Sequence, residues 1–105
     1  MLENTFQARF IEELLLQFPE AYVLKNDPEY IQGFPDLLFL YQDKWAAFEC
    51  KKSKNAPYRP NQEYYLNELD NMSFARTVYP ENMEEVLDEL QSAFASRRST
   101  RFSKR

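Results

Sequence analysis

The spacing of apolar and polar residues along the chain predicts three helices and four strands. Apolar residues recur every three or four positions over 4–18 and 82–94, which is typical of helices that bury one face. A further helix is predicted over 60–71, where Pro60 suits a first turn. Short apolar runs bounded by polar residues or proline predict strands over 21–25, 36–41, 45–51 and 74–79.

The order of these elements, α-β-β-β-α-β-α, indicates an α/β fold. Residues 36–51 form a predicted hairpin, because three polar residues join the two strands. Helices before and after this hairpin indicate one sheet covered on its faces. With 105 residues, no internal repeat and no linker, the chain is predicted to be one domain over 1–96, followed by a flexible tail over 97–105.

Alternation along the second hairpin strand determines which of its side chains can meet. Successive strand residues point to opposite faces of a sheet, so Glu49 and Lys51 share one face. Cys50 points to the other face. It is therefore expected to be a small buried hydrophobic residue, and not a nucleophile.

Composition excludes several kinds of chemistry. The sequence contains no histidine, which rules out Ser/His/Asp and Cys/His nucleophilic schemes and His-ligated zinc. One cysteine allows no intrachain disulfide, and this favours a reducing, cytoplasmic location. The chain has neither a signal peptide's basic start nor an apolar run long enough to span a membrane. A hydrolase made from these residues would need carboxylates, lysine and a hard cation.

Charge is distributed unevenly. Five of the thirteen basic residues lie in 96–105, which contains no acid, so the rest of the chain has a net charge of −9. Such a basic segment on an acidic body can bind phosphates, and Arg97, Arg98 and Arg101 are candidate nucleic-acid ligands. A solvated terminus without a binding role is the open alternative.

The clearest candidate for chemistry is Gly33-Phe34-Pro35-Asp36 followed by Glu49-Cys50-Lys51. If the hairpin register places Asp36 beside Glu49, the two carboxylates could bind Mg²⁺, or Mn²⁺ in its place, at an outward-facing site. The backbone carbonyl of Cys50 would lie near the ion, and Lys51 could hold the attacking water. An exposed cross-strand ion pair without function is the alternative.

Together with Arg59-Pro60-Asn61-Gln62, these motifs resemble the PD-(D/E)xK nuclease superfamily. The closest resemblance is to small Holliday-junction-resolvase-like enzymes of phages and archaea and to VRR-NUC domains, and it covers nearly the whole chain except 97–105. It implies a restriction-endonuclease-like core with a mixed four-stranded sheet flanked by helices, plus a C-terminal helix. It also implies Mg²⁺-dependent DNA cleavage, with Asp36 and Glu49 as metal ligands and Lys51 as the catalytic lysine.

The resemblance also implies two further site residues. Relatives carry an acid on the first helix, and Glu3 lies 33 residues before Asp36, a spacing that such resolvases use. If Asn4 is the helix N-cap, however, Glu3 lies just outside the helix and is only a surface acid. Gln62 matches a glutamine of VRR-NUC-like members, where its amide could bind a phosphate or a metal-bound water. A polar first-turn residue is the alternative for Gln62.

The expected partner is branched DNA. Lys52, Lys54 and Arg59 follow the catalytic strand among tyrosines, a combination that suits nucleic-acid backbone and exposed bases. The short chain has no recognition domain, so it is expected to read DNA shape and backbone and not base sequence. Resolvases cut two opposed strands and are usually homodimers, which makes a homodimer the expected state.

The biological setting follows from the same resemblance. A small single-domain resolvase favours a phage origin, with a role in DNA recombination in the cytoplasm of the bacterial host, and no membrane or small-molecule cofactor beyond the metal. Three alternatives stay open: a general DNA nuclease of the VRR-NUC type, a non-catalytic nucleic-acid-binding module that retains the fold, and an interaction domain with a chance motif.

Overall fold

Four strands and three α-helices form in the order that the hydrophobic pattern predicts. The computed structural model describes the backbone of residues 2–103 and the side chains of residues 2–95. Within this range the fold is α/β, with one mixed four-stranded sheet. The elements are α1 (Glu3–Gln17), β1 (Tyr22–Lys25), β2 (Leu37–Tyr41), β3 (Lys44–Cys50), α2 (Gln62–Met72), β4 (Ala75–Val78) and α3 (Met83–Ser103).

Several helix ends differ from the prediction. α2 begins at Gln62 with Asn61 as its N-cap, so Pro60 precedes the helix and does not lie in its first turn. The N-cap of α1 is Leu2, without a side-chain hydrogen bond, so the predicted Asn4 cap is wrong and Glu3 is the first helical residue. α3 continues to Ser103, past the predicted end near Phe94, because no glycine or proline follows to stop it. None of the described helices is both long enough and apolar enough to cross a membrane.

The sheet has the strand order β1-β2-β3-β4. β1, β2 and β3 form an antiparallel meander, and β4 lies parallel to β3, with α2 as the crossover between them. In the predicted hairpin Leu37 pairs with Phe48. The next residues outward, Asp36 and Glu49, therefore face each other at the open end of the hairpin.

The two faces of the sheet are covered unequally. α1 and α3 bury a large core against one face, in which the ring of Phe10 meets that of Phe48 with centroids 5.0 Å apart. α2 covers the opposite face over β3 and β4, with Leu66 packed on Ala47. This arrangement confirms the predicted alternation along β3. It also places Glu49 and Lys51 beneath the start of α2.

Candidate active site

Asp36 is held in place at the open end of the hairpin by backbone and amide groups. Its Oδ2 accepts a hydrogen bond from the backbone N–H of Cys50 at 2.9 Å. The side chain of Asn26 donates to the Pro35 carbonyl at 2.7 Å, and its backbone N–H donates to the Asp36 carbonyl at 2.8 Å. The carboxylate is partly exposed, and within the described part of the chain its Oδ1 has no hydrogen-bond partner.

Glu49 is a buried acid with one oxygen left unpaired. The residue is 2% exposed, and its Oε2 accepts a hydrogen bond from Gln62 Nε2 at 2.7 Å. Its Oε1 is buried and has no hydrogen-bond partner among the described residues. A buried carboxylate oxygen without a donor is energetically costly, and a bound cation would supply the partner that it lacks.

Lys51 is fixed by two oxygen acceptors. Its Nζ donates to Gln62 Oε1 at 2.9 Å and to the Pro57 carbonyl at 3.1 Å. Glu49 Oε2 lies 3.8 Å from Nζ, close enough for attraction but beyond hydrogen-bond distance. Because an ammonium group has three N–H donors, one remains for a water or a phosphate oxygen.

Gln62 links these two residues. Its Oε1 accepts from Lys51 and, at 2.6 Å, from the backbone N–H of Arg59, while its Nε2 donates to Glu49. These contacts place the side chain of Gln62 against the open end of the hairpin. Both ends of the Gln62 amide are already hydrogen-bonded to other protein groups. This arrangement does not favour the expected phosphate-binding role. Gln62 instead orients the acid and the amine.

The turn that begins α2 is pressed against the loop that precedes Asp36. Asn61 adopts a left-handed backbone conformation with φ 72°, and Gly33 has φ 88°. A Cβ at Gly33 would lie 2.5 Å from the Pro60 carbonyl oxygen, so only glycine allows this approach. Gly33 thus serves a structural purpose in the motif: it lets the Asp36 loop and the Gln62 turn meet.

Burial and like charges raise the pKa of both hairpin acids. Burial, followed by the charge of Asp36, raises the pKa of Glu49 to about 8, although Lys51 acts in the opposite direction. The nearby backbone N–H of Asp36 also lowers the pKa of Glu49, although it does not form a hydrogen bond with the buried Oε1. Burial raises the pKa of Asp36 as well, partly offset by the Cys50 N–H. Without a cation, the site therefore retains a proton at neutral pH.

Glu3 lies at the same end of the molecule. Its negative charge contributes to the raised pKa of both Asp36 and Glu49, which requires it to be near them. As the first residue of α1 it is half-buried, and the alternative that it lies outside the helix does not hold. The structure therefore brings the three predicted acids to one region.

The expectation of an outward-facing site is wrong for two of its three residues. Glu49 and Lys51 are buried, the latter only 4% exposed, and Asp36 is the accessible member. Two polar groups contact Lys51, the Pro57 carbonyl and the Gln62 amide. The centroid of the Tyr58 ring lies 5.6 Å from Nζ. In the described chain, no three acidic or cysteine side chains converge to form a metal cage.

The candidate DNA-binding residues and Cys50 differ in how close they lie to the site and in how exposed they are. Arg59 lies near enough to Asp36 to lower its pKa, whereas Lys52 and Lys54 are exposed on the loop after β3. Cys50 is fully buried, as expected, and burial raises the pKa of its thiol. The side chains of Arg97, Arg98 and Arg101 lie outside the described residues.

Several groups that shape the site were not predicted for this purpose. No pattern in the sequence indicates that the Pro57 carbonyl accepts from Lys51, or that the Tyr58 hydroxyl and Thr77 Oγ1 are hydrogen-bonded at 2.7 Å. The anchoring of Pro35 by Asn26 was also missed. Asn26 follows the first predicted strand, where it could line the cleft, but its bond to Pro35 has no sequence signal. No signal marks the Pro57 carbonyl either, because its position depends on the path of residues 52–61.

We expect Gln62→Leu to destabilise the protein without altering its fold. The substitution leaves Lys51 with one acceptor and Glu49 Oε2 without its amide donor, and each buried polar group that loses its partner costs about 1–3 kcal/mol. Urea unfolding at pH 7 measures the change in free energy. Gln17→Leu is the control, since it removes an exposed amide hydrogen-bonded to Gln91 and should change stability by less than about 0.5 kcal/mol. Equal stabilities for the two variants would contradict the linking role of Gln62.

Comparison with known proteins gave no match to this chain, whether to a family model, a curated protein or a solved structure. Function is therefore inferred from the geometry and chemistry of the site, together with the motif resemblance. A fold alone would not establish a function in any case.

Proposed function

We propose that this protein is a Mg²⁺-dependent endodeoxyribonuclease of the PD-(D/E)xK type, acting on branched DNA in the manner of a Holliday junction resolvase. One observation carries the proposal. A buried carboxylate with an unpaired oxygen lies beside a lysine fixed by two acceptors, opposite a second carboxylate. A structural ion pair would not need the unpaired oxygen or the second carboxylate, whereas a metal-dependent hydrolase can use both as ligands.

The topology supports the same proposal. An antiparallel three-stranded meander, a crossover helix and a parallel fourth strand are compatible with the restriction-endonuclease-like core that the motifs imply. The candidate site lies at the open end of the β2–β3 hairpin, where Pro35-Asp36 and Glu49-Cys50-Lys51 meet. Motif and architecture therefore agree on one location.

The residues present fit a hard divalent cation. Asp36 and Glu49 each offer a carboxylate oxygen without a hydrogen-bond donor in the described chain, and the Cys50 carbonyl and Glu3 are further oxygen donors in the region. Mg²⁺ commonly takes one or two carboxylates and keeps several waters, so a cage of three acids is not needed. When bound, such an ion would supply charge neutralisation at the phosphate and acidify a water.

Lys51 then has two tasks. Its remaining N–H can hold the attacking water or offset the charge that develops on the phosphate oxygens. Gln62 and the Pro57 carbonyl fix the direction of that N–H, since they take the other two donors. Asp36 is partly exposed, whereas Glu49 and Lys51 are buried. The phosphate would therefore approach Glu49 and Lys51 from the side of Asp36.

DNA binding and assembly are part of the proposal. Arg59, Lys52 and Lys54 lie on the loop beside the site, where they can contact the DNA backbone. A homodimer would supply two sites for two opposed strands, and the sheet face beside α2 offers an apolar surface on β1: Tyr22 is 71% exposed and Leu24 49%. Action in the cytoplasm, of a bacterial host if the protein is of phage origin, completes the proposal.

Incubation of the purified chain with labelled DNAs tests the proposal. A four-way junction, a linear duplex and single-stranded DNA are compared with Mg²⁺, Mn²⁺ or EDTA. We expect metal-dependent cleavage of the junction, faster than of the other two DNAs. Equal cleavage of all three would instead indicate a general nuclease. Binding without cleavage in either metal would indicate a non-catalytic module and would contradict the proposed activity.

A further inference from the structure

Three aromatic rings form a cluster beside the candidate active site. The ring centroids of Phe34 and Tyr65 lie 5.4 Å apart, and those of Tyr65 and Tyr64 5.2 Å apart, both in edge-to-face geometry. Phe34 is two residues from Asp36. Tyr65 is three residues from Gln62, roughly 4.5 Å of rise along α2. The aromatic cluster Phe34–Tyr65–Tyr64 therefore begins on the loop that carries Asp36 and ends at the exposed Tyr64 on α2.

The cluster is not part of the hydrophobic core. None of its members belongs to either group of buried apolar residues or is packed against one in the described chain. Tyr64, at the outer end, is 60% exposed, while Phe34 and Tyr65 are half-buried. Core packing therefore does not explain why large rings are placed here.

The loop that carries Phe34 is held against α2. Gly33 lies against the Pro60 carbonyl and Asn61, so Phe34 and the helix that bears the two tyrosines cannot shift independently without breaking this contact. The rings are thus preorganised relative to Asp36. A preorganised aromatic surface loses little conformational entropy when it binds a flat ligand.

The surrounding charge indicates what kind of flat ligand fits. Arg59 lies near Asp36, and Lys52 and Lys54 are exposed on the same loop. On α2 itself the exposed neighbour of Tyr64 is an acid, Glu63, so the positive charge comes from the loop and not from the helix. Aromatic rings and basic side chains at one site can bind single-stranded nucleic acid, by stacking of bases and attraction of phosphates. In a continuous duplex both faces of each base are covered by its neighbours, so only an unpaired base can stack on a tyrosine.

We propose that Tyr64, supported by Tyr65 and Phe34, is a stacking site for one unpaired nucleobase next to the phosphate that is cut. The inference rests on the proposed nuclease function and adds a reason for its substrate preference. Flaps and bulges present such bases, and an open four-way junction exposes the unstacked faces of the base pairs at its centre, whereas a continuous linear duplex presents neither. Selection of branched DNA then comes from this surface and not from the metal site.

Fluorescence of 2-aminopurine tests the stacking site without any cleavage. The base is placed as the single unpaired base of a bulged duplex, or paired in a continuous duplex, and each DNA is titrated with protein in EDTA. For the wild-type chain we expect quenching with the bulged DNA. Tyr64→Leu should lose the quenching and bind bulged DNA roughly 5- to 100-fold more weakly, with affinity for paired DNA unchanged. Tyr64→Phe should retain both properties.

Tyr30→Leu is the matched control, because it removes a tyrosine that is 84% exposed and outside the aromatic cluster, and it should change neither affinity. Equal weakening of both DNAs by Tyr64→Leu, or no weakening at all, would overturn the stacking site. Cleavage by the wild type in Mg²⁺ separates this failure from that of the nuclease proposal. If cleavage persists while Tyr64→Leu has no effect, only the stacking site is lost; if the wild type neither binds nor cuts DNA, both proposals fail.

Discussion

Replacing Lys51 by methionine should reduce DNA cleavage by about 10²–10⁴-fold, the usual contribution of a positioned proton-transfer or charge-stabilising group. Methionine matches the unbranched stem of lysine but has no N–H donor, so neither a water nor a phosphate oxygen can be held at this position. Arg59 still donates to Gln62, and the turn that carries Gln62 keeps that support. Single-turnover cleavage of labelled junction DNA in Mg²⁺ measures the loss.

Lys44 provides a matched control within the same hairpin. It is also buried, at 5% exposure, and its Nζ is hydrogen-bonded to Gln42 and to Asp43, each at 3.2 Å. It lies at the turn end of the hairpin, away from Asp36 and Glu49. Lys44→Met should therefore lower stability to a similar extent but leave the rate per folded molecule unchanged. Equal rates for the two variants would show that Lys51 is only a buried structural lysine.

Metal-free wild-type protein should lose stability as pH rises from about 4.5 to about 8. The pKa of Glu49 is raised from its ordinary value of 4.5 to about 8 in the folded chain, so the folded state keeps a proton that the unfolded state has released. The contribution is fully present below the unfolded pKa and is lost as pH passes through the folded pKa. The free energy of unfolding should fall by up to about 1.4 kcal/mol per pH unit in this window. Urea unfolding in EDTA at several pH values measures the slope.

Glu49→Gln should remove most of this slope and raise stability above pH 7 in EDTA, because an amide of the same shape has no proton that the unfolded chain can release. The same substitution should abolish cleavage and any stabilisation by Mg²⁺. Glu63→Gln is the control, since Glu63 is an exposed acid one residue from Gln62. A slope that persists in Glu49→Gln would place the responsible proton on another group.

Local patterns were sufficient to predict the elements and the residues that meet. Strand alternation placed Glu49 and Lys51 on one face, as the two sides of the sheet confirm. These properties depend on neighbours in sequence or on one short turn. The amino-acid sequence therefore contains enough information to infer them. The register was left open by the sequence, and the pairing of Leu37 with Phe48 now places Asp36 across from Glu49.

The burial of Glu49 and Lys51 could not be inferred from the sequence in the same way. This burial comes from residues 52–61, whose path brings the Pro57 carbonyl onto Lys51, and from the left-handed turn at Asn61. Neither has a periodic signal, and Asn61 is not a residue type that requires positive φ. The length of α3 was missed for a related reason: its apolar stripe stops near Phe94, while its backbone continues because nothing breaks it.

Direct titration with Mn²⁺ or Mg²⁺ tests the central claim, that Asp36 and Glu49 together bind a divalent cation. Calorimetry at pH 7, in two buffers of different ionisation enthalpy, gives both affinity and proton release. We predict binding to the wild type with release of a proton, because the raised pKa of Glu49 leaves it protonated before the ion enters. Asp36→Asn and Glu49→Gln should each abolish binding, and Lys51→Met should retain it. Unchanged affinity in both acid variants, or no binding to the wild type, would contradict the account.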